Sequence, residues 1–314
     1  MSLVINHNLM AMNAARNLTQ SYGALSTSTR RLSSGLRVGT AADDAAGLAI
    51  RELMRADIAS LKQGIRNAND AISLIQTADG ALQVIDEKLI RMKELAEQAA
   101  TGTYTSDQRL IIDSEYQAMA SEITRIANAT NFNGIYLLNG NLSASTPHVA
   151  SWASSHDGSG LASTGPLKVH FGTGNSSAED YYYIAIQTAT ASALGVGNQA
   201  DVNRDNGSGV AGAGFSISTQ QAAQNALEAL NAAIVSKDNI RANLGALQNR
   251  LQNTITNLQI QAENLQAAES RISDADVAQE MTAFVRNQIL TQSAVAMLSQ
   301  ANQLPQMAMQ LIQG

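Results

Sequence analysis

Apolar residues recur at alternating steps of three and four from about Ala42 to Ala100, and again from about Gln220 to Ile272. That spacing predicts two long helices, each burying one stripe. The first stripe runs through Met54, Ile58, Leu61, Ile65, Ala68, Ile72, Ile75, Leu82, Leu89, Met92, Ala96 and Ala99, with a polar lapse near Asp79-Gly80. In the second, Leu244, Leu251, Leu258, Leu265 and Ile272 stand at strict intervals of seven, with Leu247, Ile255 and Ala262 between them. A heptad held this long predicts a coiled-coil seam and a partner helix, expected to be antiparallel and within the same chain.

Shorter elements flank these two. Ala15, Leu18, Tyr22, Leu25, Leu32 and Leu36 form a stripe in the first segment, interrupted at Ser33, Ser34 and Gly35, a predicted hinge. Thr105-Ser106-Asp107-Gln108 has the form of a capping box, opening a third helix that carries Ile112, Tyr116, Met119, Ile123 and Ile126. Between Asn141 and Gly214 the chain turns rich in Ser, Thr and Gly. There Leu167–Phe171 and Tyr181–Ile186 flank a turn and predict a β-hairpin. Its neighbours, 141–165 and 187–215, are expected to be exposed loops that could carry O-linked sugars.

The expected fold class is mainly α: an elongated antiparallel helical bundle of N- and C-terminal segments, with a small β-hairpin region in the middle. Only 4% of the 314 residues are aromatic, which favours a slender bundle over a thick core. The net charge of −6 is mixed in sign and argues against nucleic acid as a partner. No cysteine is present, so disulfides and thiolate metal sites are excluded. No stretch is apolar enough to predict membrane insertion, and no secretory leader is recognisable.

Chemistry is sparse. The histidines, His7, His148, His156 and His170, do not stand at metal-ligand spacing, so no metal or cofactor is expected. The acid pairs Asp43-Asp44 and Asp274/Asp276 lie near helix starts, where carboxylates cap free amides. No nucleophile elbow or phosphate loop occurs, and no enzyme is expected. One flank is unusual: Arg91 and Leu95 lie beside the seam, one turn apart. Leu95 there either packs on the third helix or faces outward as a protein contact. The first 40 residues contain four arginines and no acid, and no charged side chain follows Arg286. Such a tail either has a cover or is a frayed, disordered terminus.

Several words are specific. RLSSGLRV at 31–38, AADDAAGLAI at 41–50, RNANDAISLIQTADGAL at 66–82, ELAEQAA at 94–100 and NFNGIYLLNG at 131–140 resemble bacterial flagellin. So do SRISDADVAQEM at 270–281 and ILTQSAVAMLSQANQLPQ at 289–306. The resemblance covers roughly 1–140 and 220–314.

It implies a filament subunit of the short form, without large outer domains. Residues 1–44 plus 271–314 would form an inner coiled-coil domain, 45–140 plus 216–270 a rod-like helical domain, and 141–215 the variable hairpin and loops. The implied partners are copies of itself, an export chaperone, a cap and hook-junction proteins. The implied location is extracellular, in the flagellum, after unfolded export through the flagellar type III channel. Because neither the basic first segment nor the uncharged last one hides its stripe well alone, both termini are expected to be disordered in the monomer and to order on assembly. Arg91, Leu95 and Glu115 match the family's contact with the flagellin-sensing Toll-like receptor, although Lys93 and Glu97 depart from the common pattern. A hook–filament junction protein is the alternative.

Overall fold

The structure, a computed structural model, describes residues 8–143, 166–176, 179–197 and 216–313. The helices are α1 (Leu9–Ser34), α2 (Ala45–Ala100), α3 (Ser106–Ala129), α4 (Gln220–Ser273) and α5 (Val277–Gln313). Two small antiparallel pairs accompany them: β1 (Asn131–Phe132) with β2 (Ile135–Tyr136), and β3 (Leu167–His170) with β4 (Tyr181–Ile184). The mainly α fold class with a small hairpin is therefore observed.

The helix ends follow local chemistry. Asp44 Oδ1 accepts the Gly47 amide at 2.9 Å at the start of α2, and Asp276 Oδ1 accepts the Ala278 and Gln279 amides at the start of α5. The Thr105–Gln108 capping box is present in both directions. Gly35 terminates α1 at φ 70°, its amide donating to the Arg31 carbonyl, a left-handed cap that favours glycine. The helix thus ends within the Ser33, Ser34 and Gly35 run. The Asp79-Gly80 lapse does not interrupt α2.

The chain divides into two compact units, residues 1–59 with 261–314, and residues 60–260. The divisions fall inside α2 and α4 rather than at their ends.

In the first unit, α1 and α5 run antiparallel. Asn8 at the start of α1 bonds Ala301 late in α5, and Arg31 near the end of α1 lies 3.6 Å from Glu280 early in α5. The turn after α1 is tied to the α4–α5 junction. Leu36 bridges Asp274, the Arg37 amide donates to Ser273 O at 2.7 Å, and the Ala275 amide donates to Gly35 O at 2.9 Å. Arg51 reaches the Val38 carbonyl at 2.6 Å. The α1 stripe is narrower than the sequence predicts. Leu18, Leu25, Leu32 and Leu36 are half-buried, but Ala15 and Tyr22 are exposed, because in this unit one helix alone packs along α1.

The second unit has one apolar core shared by α2, α3, α4 and the middle segment. Asp79 pairs with Arg241 at 2.7 Å and Asp86 with Lys237 at 2.6 Å. Residue numbers rise on α2 as they fall on α4, so the two helices are antiparallel as expected. Leu244, Leu251 and Leu258 of the seam are buried. Leu265 and Ile272 belong to the first unit and are half-buried.

The middle segment corrects one expectation. Residues 187–197 do not form an exposed loop. Ala189, Ala191 and Val196 are at most 1% exposed, and the Ile186 and Ala189 amides donate to Leu142 O and Leu138 O. Ala189, Ala191 and Ala193 alternate with polar residues, but alanine is a weak strand former and the run sits in a Ser-, Thr- and Gly-rich segment, so the pattern reads as loop. The predicted hairpin forms, with Leu167 opposite Ile184 and His170 opposite Tyr181. It lies against α2, where a Cβ on Gly64 would overlap the Phe171 carbonyl and Asn67 Nδ2 donates to His170 O at 2.8 Å. On its α4 side, Arg250 stacks 3.6 Å over the Tyr182 ring. The β1–β2 hairpin was not foreseen. Its turn, Asn133 at φ 50° and Gly134 at φ 81°, is the Asn-Gly kind that matches strand twist.

Candidate assembly surface

The two units differ sharply in how they satisfy their apolar residues. Among described residues of the first unit, the buried apolar side chains are Val38, Ile58, Ala262 and Ala301. Against these stand large exposed ones: Leu9 at 65%, Met12 at 59%, Leu53 at 68%, Val277 at 61%, Ile289 at 56% and Met297 at 63%. Between α1 and α5 lies a groove of about 680 Å³, lined by residues including Met10, Asn17, Ser21, Leu290 and Met297. Exposed apolar side chains on this scale mark a protein-binding surface. Its polar component is amides and hydroxyls rather than charges, because α5 carries none after Arg286.

Charge is instead concentrated at the base of this unit. Asp43 accepts from Arg30 at 2.6 Å and from the Thr40 amide and hydroxyl. The Arg30 guanidinium holds the Asp43 carboxyl well below the usual carboxylate range. Asp43 thereby closes the turn between α1 and α2.

The Arg91 flank lies in the second unit. Arg91 donates Nε and Nη2 to Glu115 Oε1 at 3.0 and 2.8 Å, and Nη1 to Glu94 at 2.9 Å. This network stands in solvent, with Arg91 and Glu115 side chains 49% and 44% exposed. Leu95 is a different matter. Of the two readings the sequence leaves open, the outward one is overturned, since Leu95 is 1% exposed and belongs to the core. It shares that core with Ile112, Tyr116 and Ile123 of α3, which returns antiparallel along α2, so only Arg91 and Glu115 are presented at the surface.

Sequence reasoning overlooked Lys237, a buried cation between Asp86 and Asp238 at 2.6 and 2.7 Å. The signal was available. Counting back seven from Leu244 lands on Lys237, and seven more on Leu230.

No group of three or more His or acidic residues that could hold a metal occurs among the described residues, and no described helix is long and apolar enough to cross a membrane. Of the histidines, His7, His148 and His156 lie outside the described residues. His170 is on β3, stacked on Tyr181.

Paired terminal helices, a heptad body and uncovered apolar faces define a structural subunit. Comparison with known proteins gives the particular kind. Residues 5–143 match the bacterial flagellin N-terminal helical region, and residues 227–312 match the bacterial flagellin C-terminal helical region. The chain is 39% identical to the flagellar filament 33 kDa core protein of Treponema phagedenis, over 99% of this chain and all of that one. It is 41% identical to the flagellin of Bacillus subtilis, over 98% of this chain and 99% of that one. A solved Bacillus cereus flagellin is 26% identical with a TM-score of 0.43, covering 65% of this chain and 94% of that one. The chain belongs to the bacterial flagellin family, in its short form without large outer domains. It is a structural protein and not an enzyme.

Proposed function

We propose that this chain polymerises into the extracellular flagellar filament, and that neighbouring copies bury the apolar faces of α1 and α5. The observation that carries this reading is the imbalance among the described residues of the first unit: four buried apolar side chains against exposures such as Leu9 at 65% and Met297 at 63%. Burying a side chain of this size is worth roughly 1.5–3 kcal/mol, so a few such residues per contact suffice to drive association. Head-to-tail contacts between unlike faces do not close and therefore yield a fibre.

The finer reading follows from the same imbalance. A unit with little core of its own unfolds at small cost, which suits export of an unfolded chain through the flagellar type III channel without a cleaved leader. An export chaperone would shield the uncharged α5 segment, with the cap and hook-junction proteins meeting the assembled ends. The exposed Arg91–Glu115 pair supports recognition of the monomer by the flagellin-sensing Toll-like receptor. In that role Leu95 supports the surface from beneath.

Purified chain, concentrated with a precipitating salt and viewed by electron microscopy, is expected to form long helical tubes by itself. Ile289→Asn, on the exposed face of α5, is expected to abolish tubes while leaving monomer helicity unchanged. A wild-type chain that stays monodisperse under all such conditions would overturn the reading and favour a hook–filament junction protein.

A further inference from the structure

The seam of α4 repeats so regularly that its leucines alone do not fix its register. Leu230, Leu244, Leu251 and Leu258 are buried at intervals of seven or fourteen. They face an α2 stripe that is itself heptad-spaced, including Ala68, Ile75, Leu82, Leu89 and Ala96. Sliding one helix past the other by seven residues, about 10 Å, returns apolar to apolar.

Lys237 interrupts this series. It occupies the seam position between Leu230 and Leu244, is 2% exposed, and its ammonium lies 2.6 Å from Asp86 on α2 and 2.7 Å from Asp238. One turn on, Arg241 pairs with Asp79 of α2 at 2.7 Å. Asp79 and Asp86 are themselves one heptad apart. Either ion pair alone would thus survive a slip in one direction. A slip one way sets Arg241 against Asp86 but brings Lys237 opposite Lys93. The opposite slip sets Lys237 against Asp79 but brings Arg241 opposite Ile72.

We propose that Lys237 and Arg241 together are a register lock, selecting one antiparallel alignment of α2 and α4 from alignments one heptad apart. A buried polar residue in a seam is a known means of specifying register at a cost in stability. Desolvation opposes the charge on Lys237, but Asp238 and Asp86 outweigh it and hold its pKa above the ordinary value, so the charge persists. Replacing a buried ion pair with an apolar residue of similar size is often neutral or stabilising. The lock therefore shows in alignment rather than in stability.

The test uses the full chain, which has no cysteine. Spin labels on Gln76→Cys and Asn231→Cys, both exposed, report the α2–α4 offset by double electron–electron resonance. One separation is expected in the otherwise unaltered chain. Lys237→Met should add a second population about 10 Å longer, because Arg241 then pairs equally well with Asp86. Arg241→Met should add one shorter by the same amount, and Lys237→Arg should restore the single separation. A single, unshifted separation in both methionine variants overturns the proposal. So would failure of both to fold, because the pairs would then supply stability rather than alignment.

Discussion

Asn8 and Ala301 meet through a 2.8 Å hydrogen bond although 293 residues of chain separate them. The same Asn8 side chain accepts the Ala11 amide and so caps α1. One residue therefore both starts the first helix and fastens it to the last.

Asn8→Ala should remove both contacts. Loss of the cap costs about 1 kcal/mol, and loss of the cross-helix bond a further 0.5–1.5 kcal/mol or so. Amide exchange in the assembled filament is expected to quicken through α1 and the facing part of α5, with the second unit unchanged. Equal protection in the two proteins would contradict this.

Gly64 and Gly80 both lie within α2 and should respond oppositely to alanine. At Gly64 the new Cβ meets the Phe171 carbonyl, so the hairpin must move, at about 1–3 kcal/mol. At Gly80 nothing lies within 4 Å of the new atom, and helix propensity should raise stability by about 0.5–1 kcal/mol. Thermal midpoints of the two variants should fall on either side of the parent.

Leu95→Ala and Arg91→Ala separate support from contact. Removing the buried leucine should cost about 2–5 kcal/mol, whereas exposed pairs such as Arg91–Glu115 are worth about 0–1 kcal/mol. Activation of the Toll-like receptor by the monomer should fall in both variants, but only Leu95→Ala should also lower the urea midpoint. Full activation by Arg91→Ala would remove this flank from recognition.

Acid should loosen the turn between α1 and α2. The Asp43 pKa lies below the unfolded value of about 3.9. Its carboxylate therefore adds stability above that pH and loses it as the pH falls through the acid range toward the folded value. Exchange of the Gly39 and Thr40 amides, both donors to Asp43, should be slow at neutral pH and gain more protection there than near pH 3, after correction for intrinsic rates. In Asp43→Asn that pH dependence should shrink.

The two long helices were legible because burial on one face forces a three-and-four spacing that nothing else in a chain produces. The caps at Asp44, Thr105 and Asp276 and the stop at Gly35 were legible because each is settled within a turn of backbone. Residues 187–197 were not, since alanines in a Ser-, Thr- and Gly-rich run give little apolar contrast and become core only when Leu138 and Leu142 come alongside. The position of Leu95 was ambiguous for a related reason: its helix defines a flank, but whether α3 covers that flank depends on how the chain returns.

The sequence by itself determined the two long helices, several helix caps and the stripe each long helix must hide, because these depend on interactions only a few residues apart. The tertiary structure decided which stripes are actually hidden. Tyr116 and Leu95 lie in the core of the second unit, while Ile289 and Met297 are left bare in the first. That choice depends on how many helices surround each stripe, a property of packing that no local spacing encodes.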